Sequence, residues 1–370
     1  MVLGHTVQGI SARLLPRSRW LMALAGLLPL ALTACSGLPC EPAGFYAADA
    51  GAPYRAEEVR VRTAAGHTLV GTLTLPDQAA TPVPAVVLIS GSHPQTRDMV
   101  GSTFEPFSRY RPFRQIADRL SRDGIAVLRL DDRSTGCSSG SALSQVSTAD
   151  RADDTRVALA FLRTRADIDP RRLGLVGISE GASIAVMIAA TDHSLRGIVS
   201  MAGTGAPGWQ VWAYQTRYLI SLGEEMDRAK KARWRAGEDP EIILAERVAE
   251  ARAHVAAGAA DPWWTFFFDY DPRTDARQVT CPVLLLHGDR DSNVPVAHAQ
   301  ALAAAIRSGG NEDVTVTIFA GHNHLFLPDA DGGFRRYGDL LAHTTQVPDP
   351  VLDHIADWLA DRLEAGGRAE

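Results

Sequence analysis

The sequence predicts an α/β fold: a mainly parallel sheet flanked by helices and interrupted by one helical insertion. Three observations carry that expectation. Short apolar runs such as Ala85–Ile89, Ala126–Leu130 and Leu173–Gly177 read as strands buried on both faces. Segments of helical spacing alternate with these runs, as crossover helices between parallel strands do. One stretch, Gly205–Ala276, holds helical periodicity, charge and five tryptophans but no buried strand.

The chain opens on a targeting segment. Arg13, Arg17 and Arg19 precede the apolar run Leu21–Leu32, which is too short for a comfortable membrane span. The run ends in Leu32-Thr33-Ala34-Cys35, which resembles the lipobox of bacterial lipoproteins. That resemblance implies cleavage after residue 34, lipid on Cys35, and an exported protein held at the cell envelope, on the outer membrane or facing the periplasm in a Gram-negative source. The alternative is an ordinary cleaved signal or a membrane anchor. Residues 35–54, rich in Pro, Gly, Ala and acidic side chains, then read as a tether that gives the body reach.

The body follows in order. Val59–Arg62 and Thr68–Leu75 alternate around Gly66 and predict a hairpin. Phe113, Ile116, Ala117 and Leu120 share one helix face, and Gly124 stops that helix. A helix over 148–163 leads into the strand Leu173–Gly177, and another helix opens near Ser179. Gly197–Ser200, Val283–His287 and Val314–Phe319 are further strands, with helices over 298–308 and 350–363. The core is therefore expected in two parts, 55–204 and 277–370, with the cap 205–276 between them. The cap's ends must lie near the carboxyl edge of the sheet, where active sites of open α/β folds sit.

Composition narrows the function. Loss of the first 34 residues removes three arginines and takes the formal net charge from −6 to −9, which argues against a nucleic-acid partner. The His and Cys residues lack the tight spacing of a zinc site, so no metal is suggested. With Cys35 consumed by lipid, Cys40, Cys137 and Cys281 leave an odd number, a weak case for a disulfide framework.

The chemistry centres on Gly177-Ile178-Ser179-Glu180-Gly181. This G-x-S-x-G follows an apolar run and opens a small-residue helix, the strand–turn–helix context the motif requires. A serine hydroxyl needs a base, and the base needs an acid to orient it, in the chain order Ser, acid, His. The loop His287-Gly288-Asp289-Arg290-Asp291 supplies two carboxylates just past a strand. The loop Gly321-His322-Asn323-His324 supplies two histidines in the same position relative to another strand.

These segments together resemble bacterial carboxylesterases and serine aminopeptidase-like members of the α/β-hydrolase superfamily. The resemblance implies an eight-stranded, mainly parallel sheet with an inserted helical cap. It selects Asp291, which precedes Val294-Pro295 in the family manner, over Asp289. It selects His324, in Gly-x-Asn-His-Leu-Phe, over His322. It also implies an oxyanion hole from the backbone N–H of Glu180 and of Ser92. His93 and Thr96 stand where relatives often carry glycine and aspartate, and His93 is a candidate for touching substrate. Ser134 stands where the family usually has a glycine after its arginine, and Arg133 and Asp132 are expected to pair and brace that loop.

Trp209, Trp212, Trp263, Trp264 and Phe266–Phe268 either line an acyl or aromatic pocket or form the core joining cap to sheet. Trp209 and Trp212 are the first choices for facing substrate. The expected reaction is hydrolysis of a small-molecule ester through an acyl-enzyme on Ser179, with no cofactor. An aminopeptidase with the same triad is the competing reading, and Glu224, Glu225, Asp227 and Asp269 are its candidates for holding a substrate ammonium. A catalytically inert envelope binding protein is the reading from another class. Serine at 179 disfavours dehalogenase and cysteine-dependent dienelactone chemistry.

Overall fold

A computed structural model describes residues 38–77, 82–333 and 337–364. The targeting segment and Cys35 lie outside the described residues. Eight strands form one sheet in the order β1-β2-β4-β3-β5-β6-β7-β8. They are β1 (Tyr54–Arg62), β2 (Thr68–Pro76), β3 (Val83–Ile89), β4 (Ala126–Leu130), β5 (Ile168–Ile178), β6 (Gly197–Met201), β7 (Val283–Gly288) and β8 (Val314–Phe319). The β1–β2 hairpin pairs antiparallel to β4, and every other neighbour is parallel.

The continuous apolar runs arise because both faces of the sheet are covered. Along β3, Ala85, Val87 and Ile89 face one layer with Leu159, Ile184 and Leu302, while Val86 and Leu88 face the other with Phe113, Ile116 and Ile355. The first layer contains α2 (Thr148–Arg163), α3 (Glu180–Ala189) and α9 (Ala297–Ser308). The second contains α1 (Pro112–Arg122) and α11 (Asp349–Glu364). The helix α2 starts on a reciprocal cap, with Ser147 and Asp150 each bonding the other's backbone N–H.

Between β6 and β7 come α4 (Gly208–Ser221), α5 (Arg228–Arg235), α6 (Pro240–Ala256), α7 (Pro262–Asp269) and α8 (Pro272–Ala276). Three of them start on the same two-residue signal. Asp239, Asp261 and Asp271 accept the N–H of Glu241, Trp264 and Arg273, and a proline occupies the next position, where no amide donor is needed. The last cap helix departs from expectation, since Ala276 packs into the core of the main sheet rather than into the cap. The helix α10 (Tyr337–His343) was not expected from the sequence.

The described part of the expected tether is docked rather than extended. Cys40 and Cys137 form a disulfide, Tyr46 lies under the Arg97 guanidinium at 4.1 Å, and Arg114 donates to Phe45 O, Ala47 O and Asp49. Aromatic and carbonyl groups in an otherwise small-residue stretch gave it partners on the body. Cys281 is a buried free thiol, pushed up to about 12 by burial.

Candidate active site

Ser179 stands between β5 and α3 with φ 56° and ψ −117°, a conformation costly for a residue with a Cβ. Two glycines make that turn possible. A Cβ on Gly177 would lie 2.1 Å from Gly181 O, and one on Gly181 would lie 2.1 Å from Ile89 O. Strand, helix and the β3 loop are thus packed backbone to backbone. Ser179 N–H bonds Met201 O at 2.8 Å, and α3 begins at Glu180, with the N–H of Ala182 closing onto Ser179 O at 3.1 Å.

The acid and the base meet as expected. His324 Nδ1 lies 2.7 Å from Asp291 Oδ2. Asp291 Oδ1 accepts Asn293 N–H and Val294 N–H, both at 2.8 Å. Burial alone would raise this carboxyl, but His324 and His287 outweigh it and hold Asp291 well below the usual carboxylate range. His287, at the end of β7, was not singled out in the sequence. Its Nε2 lies 2.8 Å from Val294 O and 3.2 Å from Asp291 Oδ2, so it braces the acid loop from beneath. The rejected candidates sit apart from the pair. Asp289 is exposed and accepts Gly321 N–H at 2.6 Å, while His322 lies against Phe319 and the Ala320 carbonyl. Asn323, fully buried, accepts the N–H of Leu325 and Leu327 and so shapes the turn that presents His324.

Ser179 and His324 face one cavity of about 120 Å³, also lined by Gly91, Ser92, His93 and Glu180. The β3 loop carrying Ser92 is held by Asp132, which accepts Ser90 Oγ–H at 2.8 Å and Gln95 N–H at 2.9 Å. Arg97 and Asp131, both fully buried, pair beneath it at 2.7 Å. The expected Arg133–Asp132 brace does not form. Arg133 turns to Asp154 and Asp150 on α2, and Asp132 pairs with Arg151 instead. Both acids of α2 lie one helical turn apart, so they chelate the guanidinium better than one loop carboxylate does.

The cap supplies Gly208, Val211, Gln215, Phe267 and Tyr270 to the cavity wall, but not Trp209 or Trp212. Trp212 is 1 % exposed and packs with Ala251 and Phe268, with Trp209 half-buried against them under Arg252. Their indoles are large enough to form the cap's own core, which settles their side of the helix. Trp263 does approach the site: its Nε1 donates to Glu180 Oε2 at 3.0 Å. None of Glu224, Glu225, Asp227 and Asp269 lines the cavity.

A profile of the serine aminopeptidase S33 family matches residues 108–331. The chain is 27 % identical over 297 residues to esterase EstD of Thermotoga maritima, covering 79 % of this chain and 65 % of that protein. It is 30 % identical over 145 residues to polyketide transferase claH of Penicillium crustosum, covering 39 % of this chain and 43 % of that one. The chain thus spans less than two thirds of the length of these relatives. Among solved structures, an esterase of Pyrococcus furiosus matches with TM-score 0.56 at 15 % identity over 84 % of this chain and 92 % of that one. An acylaminoacyl peptidase of Pyrococcus horikoshii matches with TM-score 0.54 at 15 % identity over 86 % and 43 %. These likenesses show the fold. The profile match, which covers more than half of the chain and encloses Ser179, Asp291 and His324, shows the family: the chain belongs to the serine aminopeptidase S33 family of α/β-hydrolases.

Proposed function

We propose that the protein is a serine-dependent carboxylic ester hydrolase. His324 takes the hydroxyl proton as Ser179 Oγ attacks the acyl carbon, and the N–H groups of Ser92 and Glu180 receive the oxyanion. The bond to the alcohol oxygen breaks as His324 returns the proton to it. A water, deprotonated by His324, then attacks the acyl-enzyme, and the carboxylic acid leaves with Ser179 restored.

The observation that carries ester over aminopeptidase is electrostatic. Glu180 is the one carboxylate among the described residues that line the cavity, and its oxygens are engaged by Thr148 Oγ1 at 2.7 Å and Trp263 Nε1 at 3.0 Å. That leaves no acidic group to receive a substrate ammonium, so a neutral ester fits better. The test compares p-nitrophenyl butyrate with aminoacyl p-nitroanilides. The ester should be favoured in kcat/KM by about a hundredfold or more, less than the roughly 10⁴- to 10⁵-fold discrimination that unpaired buried polar groups impose. Preference for the anilides would replace this reading with the aminopeptidase.

The place of action is the cell envelope, through lipid on Cys35. The sequence Leu32–Cys35 supports it, as does the Cys40–Cys137 disulfide, a bond that persists in oxidising compartments. Among the described residues, no helix is long and apolar enough to cross a membrane. Mass spectrometry of the N-terminus from the native host, with Cys35→Ala as control, should find acyl chains on Cys35. A non-acylated mature N-terminus would remove the anchor.

A further inference from the structure

A second cavity of about 270 Å³ lies beyond His93, walled by Pro94, Leu143, Val146 and Trp263. His93 borders both this cavity and the one over Ser179. It holds φ 68°, an uncommon conformation for a residue with a side chain, and its ring stacks on Trp263 with centroids 6.2 Å apart. The wall is fixed to the reacting serine, because Trp263 bonds the side chain of Glu180, the residue whose N–H is assigned to the oxyanion. The charged groups at the floor engage one another. Arg151 pairs with Asp132, Arg133 pairs with Asp154, and Asp261 accepts Trp264 N–H as the cap of α7. Apart from His93 at its entrance and Ser144 at its rim, what remains to meet a ligand is apolar.

Sheet order says which part of a substrate belongs there. The acyl carbon on Ser179 bears three groups: an oxyanion directed at Ser92 and Glu180, a leaving oxygen that must reach His324, and the acyl substituent. His324 follows β8 and Asp291 follows β7, so the leaving group is drawn to the β6–β8 side of β5. Apart from Asp261 and Trp263 of the cap, the second cavity is built from residues that follow β3 and β4, on the opposite side. We infer that this cavity is the acyl chamber, and that it takes an uncharged alkyl or aryl acyl group whose chain passes His93. The inference rests on the ester-hydrolase reading and adds the substrate class to it.

The test holds the leaving group constant and varies the acyl chain from acetate to octanoate and benzoate as p-nitrophenyl esters. A parallel series holds acetate and varies the alcohol. Val146→Phe fills the chamber from within, and Ser144→Trp, at an exposed rim position, narrows it without touching the core. In both variants kcat/KM for octanoate and benzoate should fall about 10- to 100-fold, while acetate stays within about threefold and the alcohol series keeps its wild-type order. If Val146→Phe misfolds, Ser144→Trp decides alone. A change confined to the alcohol series, or no change in either, overturns the acyl assignment while leaving ester hydrolysis intact. A wild-type enzyme inert to every ester overturns the hydrolase reading itself and this inference with it.

Discussion

Arg151 joins the two segments that carry the proposed oxyanion donors, the loop after β3 and the start of α3. From α2 its Nη2 donates to Ser90 Oγ at 2.7 Å and to Asp132 Oδ2 at 3.2 Å, and its Nη1 lies 3.0 Å from Glu180 Oε2 as a charge contact rather than an aligned hydrogen bond. Ser90 leads into Ser92, and Glu180 carries the other proposed N–H donor, so one guanidinium contacts both segments. Burial raises the Asp132 carboxyl, and Arg151 beside it acts in the opposite sense.

Arg151→Met should therefore lower kcat about 10²-fold with KM changed little, the signature of weakened oxyanion stabilisation. It should also cost ~3–5 kcal/mol of stability, because Asp132 and Glu180 lose their buried counter-charge. Steady-state kinetics with parallel denaturant unfolding reads both. Unchanged kcat in a folded Arg151→Met protein would show that the donors are set by other contacts.

The two histidines of the β8 loop should separate cleanly. His324→Ala removes the proposed base and should lower kcat by roughly 10³- to 10⁶-fold, while His322→Ala, whose side chain lies against Phe319 and the Ala320 carbonyl, should change it by less than about threefold. Asp291→Asn against Asp289→Asn should rank the same way, with a loss near 10⁴-fold for the first. Comparable losses at His322 or Asp289 would mean that the loop holds another register in solution.

Acid should loosen the base of the cap. His298 Nδ1 accepts Gly205 N–H at 3.0 Å, so the ring must be neutral there. Burial, with His287 nearby, pushes His298 down to about 4. Its unfolded value lies near ~6.5, so below that pH the unfolded chain takes a proton that the folded chain refuses. The contribution is whole above about pH 6.5 and is lost as pH falls toward about 4, at up to ~1.4 kcal/mol per pH step of one. Urea unfolding at pH 5 and pH 7.5 should show a smaller difference in His298→Gln than in wild type. Equal differences would place the acid sensitivity elsewhere.

The disulfide should matter to stability more than to chemistry. Cys40–Cys137 closes a loop with a sequence separation of 97 and pins the N-terminal segment to the loop after β4. Paired Cys40→Ser and Cys137→Ser should cost ~2–4 kcal/mol, with KM for a short ester within about twofold. A thermal midpoint unmoved by the double substitution would show that Tyr46 and Arg114 dock the segment unaided.

What the sequence disclosed and what it withheld follow from one physical distinction. Ser179 was legible from its strand–turn–helix motif, whereas chain order at the strand ends left Asp289 and Asp291, and His322 and His324, as pairs between which the family resemblance chose. Buried strands such as β3 and β7 were legible because covering both faces demands an unbroken apolar run. Arg151 and His287 were not, nor was the bond of Trp263 to Glu180, since each acts through a partner brought close only by folding: Arg151 reads as one more charged residue on a helix. The partner of Arg133 was missed for the same reason, as were the pairing of Cys40 with Cys137 and the inward turn of Trp212 in the cap. The helix α10 is too short to show a period, and the amphipathic pattern of α8 does not reveal whose core it joins.

The central claim is that Ser179 is the nucleophile, and covalent trapping tests it most directly. Incubation with a fluorophosphonate, followed by peptide mapping, should place a single adduct on Ser179. The adduct should vanish in Ser179→Ala and form more slowly in His324→Ala, since the base that activates the hydroxyl is gone. A folded wild-type protein that resists the reagent, or that carries the adduct on another serine, would contradict the account.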